Sequence, residues 1–433
     1  MSKTSLSVAA VAALVLTAAV ARAQTPPPSI DLQKAKDAFA EAHAVSEKEG
    51  GRLWGIKLYG AMFFVDPETR FTVANEPDPQ GVLHAEDGLY VGTLPKEVIV
   101  SNAPVEWEGK RWTMLMWPLY YAGSPELPIM FGHEMFHRIQ PLLHLEASDA
   151  PNLQLDTPEG RLWLQLEWRA LAAALVEHGS AREKAIRDAL LFRDHRHALF
   201  PGSAKSEASL EIAEGIPEYT GTMAGSPDLD SARWRAIGKL ANPDQTITFP
   251  RSFAYTSGPP YGMLLDQRMP GWRKKLTKDS DLGAMLEATL HGPAGASADA
   301  RAKAYGAAML KLAEADRAAK EATEKAKYRA LLVDGPTLTL PGLHLNFSFN
   351  PSTLISLGDA GTVYPVFHVQ AAWGTLDVNA GVLVPTDFSR ITVAAPKDVT
   401  GSHIEGPGWT LDLAPGWSVV AADRAGSYTV KKI

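Results

Sequence analysis

His133-Glu134-Met135-Phe136-His137 has the residue types and the spacing to do chemistry. Four residues make a little more than one helical turn, so the two histidines project from one face, one above the other. Two imidazoles so placed can share one Zn²⁺ at the ~2.0–2.1 Å its coordination needs. Residues 130–139 read as a helix, with apolar Phe131, Met135 and Phe136 and no internal proline. Catalytic zinc keeps three protein ligands and a water. The best third ligand lies in Leu210-Glu211-Ile212-Ala213-Glu214-Gly215-Ile216-Pro217-Glu218-Tyr219. Glu214 precedes Gly215, whose missing side chain would let a second helix lie close to the first. Glu211, Glu214 and Glu218 share a helical face, so some of them are expected to orient the histidines from behind the ligand shell.

Together, His133–His137 and Glu214-Gly215-Ile216-Pro217-Glu218-Tyr219 resemble the gluzincin metallopeptidases. Their motif is His-Glu-x-x-His plus a glutamate in a Glu-Gly-hydrophobic-small-x-aromatic segment of a later helix. The resemblance implies a zincin fold, with one Zn²⁺ per chain on His133, His137 and Glu214, and with Glu134 as general base. Phe253-Ala254-Tyr255-Thr256-Ser257-Gly258 resembles the Tyr-x-x-Gly segment of gluzincin aminopeptidases. By that likeness Tyr255 donates to the oxyanion of the tetrahedral intermediate, with Tyr261 in reserve. The chain also departs from the pattern. The 76 residues between His137 and Glu214 exceed the aminopeptidase spacer, so residues 142–203 must fold as helices of their own. That gap keeps Asp156 and Glu167 open as rival ligands, and Glu218 is a further alternative to Glu214. Pro217 requires the helix to kink or restart, and Arg138 puts a charge where metallopeptidases usually carry none. Gly60-Ala61-Met62-Phe63-Phe64 lacks the glutamate that holds a free amino terminus, so aminopeptidase specificity is not expected. The expected function is a metal-assisted hydrolase, a metallopeptidase acting on a peptide or protein substrate. The alternative is a zincin-like scaffold without catalysis, used as a binding protein.

These residues need elements to position them, and the pattern predicts an α+β chain. Asp31 caps a helix that Gly50-Gly51 stops. From Arg52 to Leu119 alternation and aromatics predict an antiparallel sheet, with strands at Trp54–Val65, Leu89–Thr93, Val105–Glu108 and Arg111–Trp117. Glu108-Gly109 forms the last hairpin. Helices dominate 125–333: Pro125 and Pro128 open the histidine helix and Pro141 ends it. Asp156-Thr157-Pro158-Glu159 is another start, leading into Leu162–Val176, and further helices are expected at 181–197, 204–215, 252–268 and 298–332. Gly335-Pro336 leads into an all-β domain, with strands such as Leu343–Phe349, Val363–Val369 and Trp409–Leu413. The expected division is 1–23, 24–124 (N-terminal helix and sheet of the zincin-like domain), 125–333 (helical zinc-binding subdomain) and 335–433 (small β domain).

Composition narrows the chemistry further. The 433 residues contain no cysteine, so any metal must be held by nitrogen and oxygen. Lys3, the apolar run Val8–Val20 and Ala21-Arg22-Ala23 read as an export signal cleaved after Ala23. That run of 13 residues falls short of the ~20 a membrane span needs. Removing Lys3 and Arg22 takes the formal charge from −7 to −9. No electrostatic footprint for nucleic acid or anionic lipid is therefore expected. The expected setting is the periplasm or the medium, without a membrane anchor once the signal is removed.

Overall fold

The computed structural model describes residues 29–148, 152–242, 248–291, 297–342, 345–349 and 353–433. The expected signal segment 1–23 and the prolines at 26–28 lie outside the described residues, as do Leu343 and His344. The chain is α+β, helical through its middle and all-β at its C-terminal end. Among the described residues no helix is long and apolar enough to cross a membrane.

Helix α1 (Leu32–Glu49) begins where Asp31 accepts the Lys34 amide at 2.9 Å and ends at Gly50, whose φ of 66° favours glycine. It buries Ala35, Phe39, Ala42 and Val45, with Phe39 stacked on Phe64. Six strands follow: β1 (Met62–Val65), β2 (Phe71–Ala74), β3 (His84–Glu86), β4 (Leu89–Thr93), β5 (Ala103–Trp107) and β6 (Lys110–Met116). Their order is β3-β4-β2-β1-β6-β5. The sheet is antiparallel as expected except at its centre, where β1 and β6 run parallel. Pairing between distant segments leaves no local trace, so alternation alone cannot give its direction. Glu108 and Gly109, both at positive φ, turn β5 back into β6. The expected strand Trp54–Val65 shrinks to four residues. Its first half is held off the sheet, as Trp54 Nε1 donates to Thr220 and the Leu58 carbonyl accepts from Arg138.

The helical body comprises α2 (Glu126–Ile139), α3 (Pro158–Val176), α4 (Gly179–Leu199), α5 (Ser203–Leu210), α6 (Ile216–Gly225), α7 (Leu229–Ala241), α8 (Phe249–Arg268), α9 (Leu282–Glu287), α10 (Ala298–Ala302) and α11 (Ala307–Arg329). Between α5 and α6 the chain stays helical but widens over Glu211–Gly215, where the Ile216 amide reaches back to the Glu211 carbonyl. This π-turn answers the strain of Pro217, and α6 restarts with that proline in its first turn. Gly306, at φ 75°, splits the single helix expected over 298–332. Helix α7 was not expected; its signal was Asp228, whose carboxylate caps the Ser231 amide at 2.7 Å.

Helices α3, α4 and α5 meet around a buried ionic cluster. Arg196 binds Glu167 at 2.6 Å and Glu207 at 2.7 Å, while Arg193 takes both oxygens of Glu211 at 2.7 and 2.8 Å. All five side chains are within 2% of full burial. The C-terminal region forms a seven-stranded and a five-stranded sheet. Both contribute to one apolar cluster, Leu338, Ile391 and Val393 from the first and Val369, Leu376 and Leu411 from the second. The C-terminal region is thus all-β, as expected, with two sheets sharing one core.

Candidate metal centre

Helix α2 carries His133, Glu134 and His137; the widened turn carries Glu214. Their meeting depends on backbone approaching backbone. A Cβ on Gly221 of α6 would lie 2.4 Å from the Ile129 carbonyl oxygen and 2.9 Å from the His133 nitrogen. On Gly132 of α2 it would lie 2.8 Å from the Gly221 Cα. Only glycine lets the two helices cross this closely. The sequence-based role for Gly215 is corrected here: it packs on α8, against Gly258 and the Ala254 carbonyl, and Gly221 makes the approach to α2.

The crossing brings three donor atoms together. His133 Nε2 and His137 Nε2 are 3.1 Å apart, and each is 3.5 Å from Glu214 Oε2. A point equidistant from all three in their plane lies about 1.95 Å from each. That separation is close to the ~2.0–2.2 Å over which nitrogen and oxygen donors hold a divalent ion. The buried His133–His137–Glu214 group can therefore hold a metal ion.

The side chains behind the donors fix their orientation. Glu218 Oε2 faces His133 Nδ1 at 3.0 Å, and Lys239 of α7 binds the other oxygen at 2.5 Å. Gln140 Oε1 faces His137 Nδ1 at 2.9 Å, while its amide donates to the carbonyls of Leu145 and Ile212. Those two donations leave its oxygen to accept from the ring, so Nδ1 carries the proton and Nε2 keeps its lone pair for a metal. Helix α8 holds the third donor: Tyr255 donates to Glu214 Oε2 at 2.5 Å, and Arg251 to Oε1 at 2.7 Å. The Tyr255 ring also stacks on His133, 6° from parallel.

Burial alone would lower the His133 imidazole, but its hydrogen bonds to Glu214 and Glu218 raise it to about 10. A proton there and a metal on Nε2 are alternative answers to one negative field. Burial would raise Glu218, yet Lys239 and His133 bring it down to about 2. Glu214, similarly buried, is held well below the usual carboxylate range by the two histidines. Glu134 differs. Burial pushes it upward, and its Oε2 is buried without a hydrogen-bond partner. It stands with the donors in a cleft of about 350 Å³ that is also lined by Asn102–Pro104, at the start of edge strand β5.

The other candidates stand apart. Glu167 is spent on Arg196 and on the Tyr261 hydroxyl at 2.7 Å, which also removes Tyr261 from the cleft. Asp156 accepts the Phe249 amide at 3.3 Å. The expected common face of Glu211, Glu214 and Glu218 is divided, Glu211 turning to Arg193. Arg138 donates to the Leu58 carbonyl at 2.8 Å and lies against Gly60, tying α2 to the segment before β1. Sequence reasoning missed Gln140 and Lys239. Gln140 follows His137 by three residues, a usable signal; Lys239 arrives from another helix and has none. Set against protein-family models, curated proteins and solved structures, the chain matches none.

Proposed function

We propose that the chain is a zinc-dependent hydrolase of gluzincin type that cleaves peptide bonds. The observation that carries this reading is the donor triangle beside an unpartnered buried carboxylate, Glu134, in an open cleft. His133, His137 and Glu214 hold the ion, which when bound supplies Lewis-acid polarisation and acidifies water. Nitrogen and oxygen donors at this spacing favour zinc over the harder cations, which take six or more oxygens. Glu134 accepts a proton from water at Oε2 and returns it to the amine nitrogen as the C–N bond breaks. With its ionisation pushed upward by burial, it is a stronger base than a surface glutamate. Tyr255 supports the developing oxyanion from the cleft wall. An extended peptide lies along the edge of β5, adding main-chain hydrogen bonds to the sheet. The signal-like residues 1–23 support action outside the cytoplasm.

The deciding experiment is metal analysis with a peptide-cleavage assay on wild type and Glu134→Gln. The expected result is about one zinc per chain in both proteins and a rate lowered ~10²–10⁴-fold in the variant. Full activity in Glu134→Gln would remove the proposal. A second reading, a metal-holding scaffold without turnover, draws on the Tyr255 hydroxyl being engaged with Glu214. It gives the same zinc content and no cleavage by wild type.

A further inference from the structure

In an uninterrupted helix, residues 211 and 218 would lie seven apart and within about 20° of one another. Instead Glu218 faces His133 while Glu211 points into the ionic cluster, entirely buried, with both oxygens on Arg193. The extra residue in the widened turn accounts for this, since one helical residue corresponds to about 100° of rotation. Arg193 is itself closely surrounded. Asp281 binds it at 3.2 Å, the Tyr261 ring lies 5.3 Å away, and a Cβ on Gly283 would come within 2.7 Å of its Nε. At the other end of the turn, a Cβ on Gly258 would lie 2.2–2.5 Å from the Gly215 backbone, so α8 blocks movement that way. Glu214 sits between these two contacts.

We propose that Arg193, acting through Glu211, and Gly258, acting through Gly215, are positioning residues that clamp the widened turn and so set where the Glu214 carboxylate stands against the two histidines. The inference rests on the metal-centre reading above.

The test compares Glu211→Gln, Glu207→Gln and Gly258→Ala with wild type, by zinc competition titration, the visible spectrum of the Co²⁺-loaded protein and thermal unfolding. Glu207 is the control. It belongs to the same cluster, equally buried and bound to Arg196 and His197, but sits one turn earlier in regular helix. Glu211→Gln and Gly258→Ala are expected to weaken zinc about tenfold and to alter the cobalt bands, as lost outer support does in metal sites. Glu207→Gln should lower the unfolding temperature and leave both metal readouts as in wild type. The clamp is refuted if Glu211→Gln binds zinc like wild type, or if Glu207→Gln weakens it equally. Should Glu211→Gln fail to fold, an unchanged affinity in Gly258→Ala overturns the proposal and a tenfold loss supports it. Wild-type protein that takes up neither zinc nor cobalt refutes the metal centre itself, whereas normal wild-type uptake with unaltered variants refutes only the clamp.

Discussion

Replacing Gly221 by alanine perturbs the centre while leaving every donor residue in place. The added Cβ would stand 2.4 Å from the Ile129 oxygen and 3.2 Å from the His133 Cβ, where ordinary contact begins near 3.4 Å. The nearest atoms are backbone, which no rotamer change can clear, so α2 and α6 must separate by about 1 Å. Overpacking of this kind costs ~1–3 kcal/mol. The same separation would stretch the 3.0 Å His133–Glu218 contact past hydrogen-bonding range. A lost outer partner weakens metal sites ~10–100-fold. Zinc affinity by competition and stability by denaturant unfolding should therefore fall together. Gly238→Ala in α7 is the matched control: nothing lies within 4 Å of its Cβ position. There the helix propensity of alanine should add up to about 1 kcal/mol of stability, with zinc binding unchanged. A Gly221→Ala protein with wild-type stability and wild-type affinity would refute the close-crossing argument.

Acid should expose the Glu218 contribution. Its folded value of about 2 lies below the ordinary 4.5, so its stabilisation is complete above pH ~4.5 and disappears as pH falls toward 2. That difference is worth roughly 3 kcal/mol in the metal-free protein, and unfolding from pH 5 to 2 should show a flatter pH dependence in Glu218→Gln. Gln140→Glu keeps an acceptor for His137 but abandons the Leu145 and Ile212 carbonyls. It should keep zinc and lose ~1–3 kcal/mol, whereas Gln140→Leu should lose both, as metal titration and unfolding will show. Tyr255→Phe removes a donor and no ligand, so zinc content should hold while peptide cleavage slows ~10²-fold or more; an unchanged rate would strip Tyr255 of its role.

The legible part of this molecule was local. The His133–His137 pair follows from helical periodicity, and Asp31 and Thr157 announce the helices they cap. Glu214 was reachable through its resemblance to a known motif, and Pro217 correctly signalled a disturbed helix. What the sequence hid is set by contacts across long separations. The parallel β1–β6 pairing, Lys239 behind Glu218 and Arg193 behind Glu211 join segments with no shared pattern. The π-turn escaped for another reason. Helical phase was carried through 211–218 at 100° per residue, and one extra residue moved Glu211 to the opposite neighbour. Gly215 was read as a close-approach glycine, which it is, but one sequence cannot say which helix approaches.

The cluster of Glu167, Arg193, Arg196, Glu207 and Glu211 also constrains how this chain can change. Deleting one charge strands its partner in the core, at a cost of ~3–5 kcal/mol, a large share of a typical domain's stability. Replacing a whole set with apolar side chains of matching volume can be neutral or better. Mutational drift at these five positions should therefore proceed in concert or not at all, and recombination between diverged copies should break them first when a crossover separates α3 from α4 and α5.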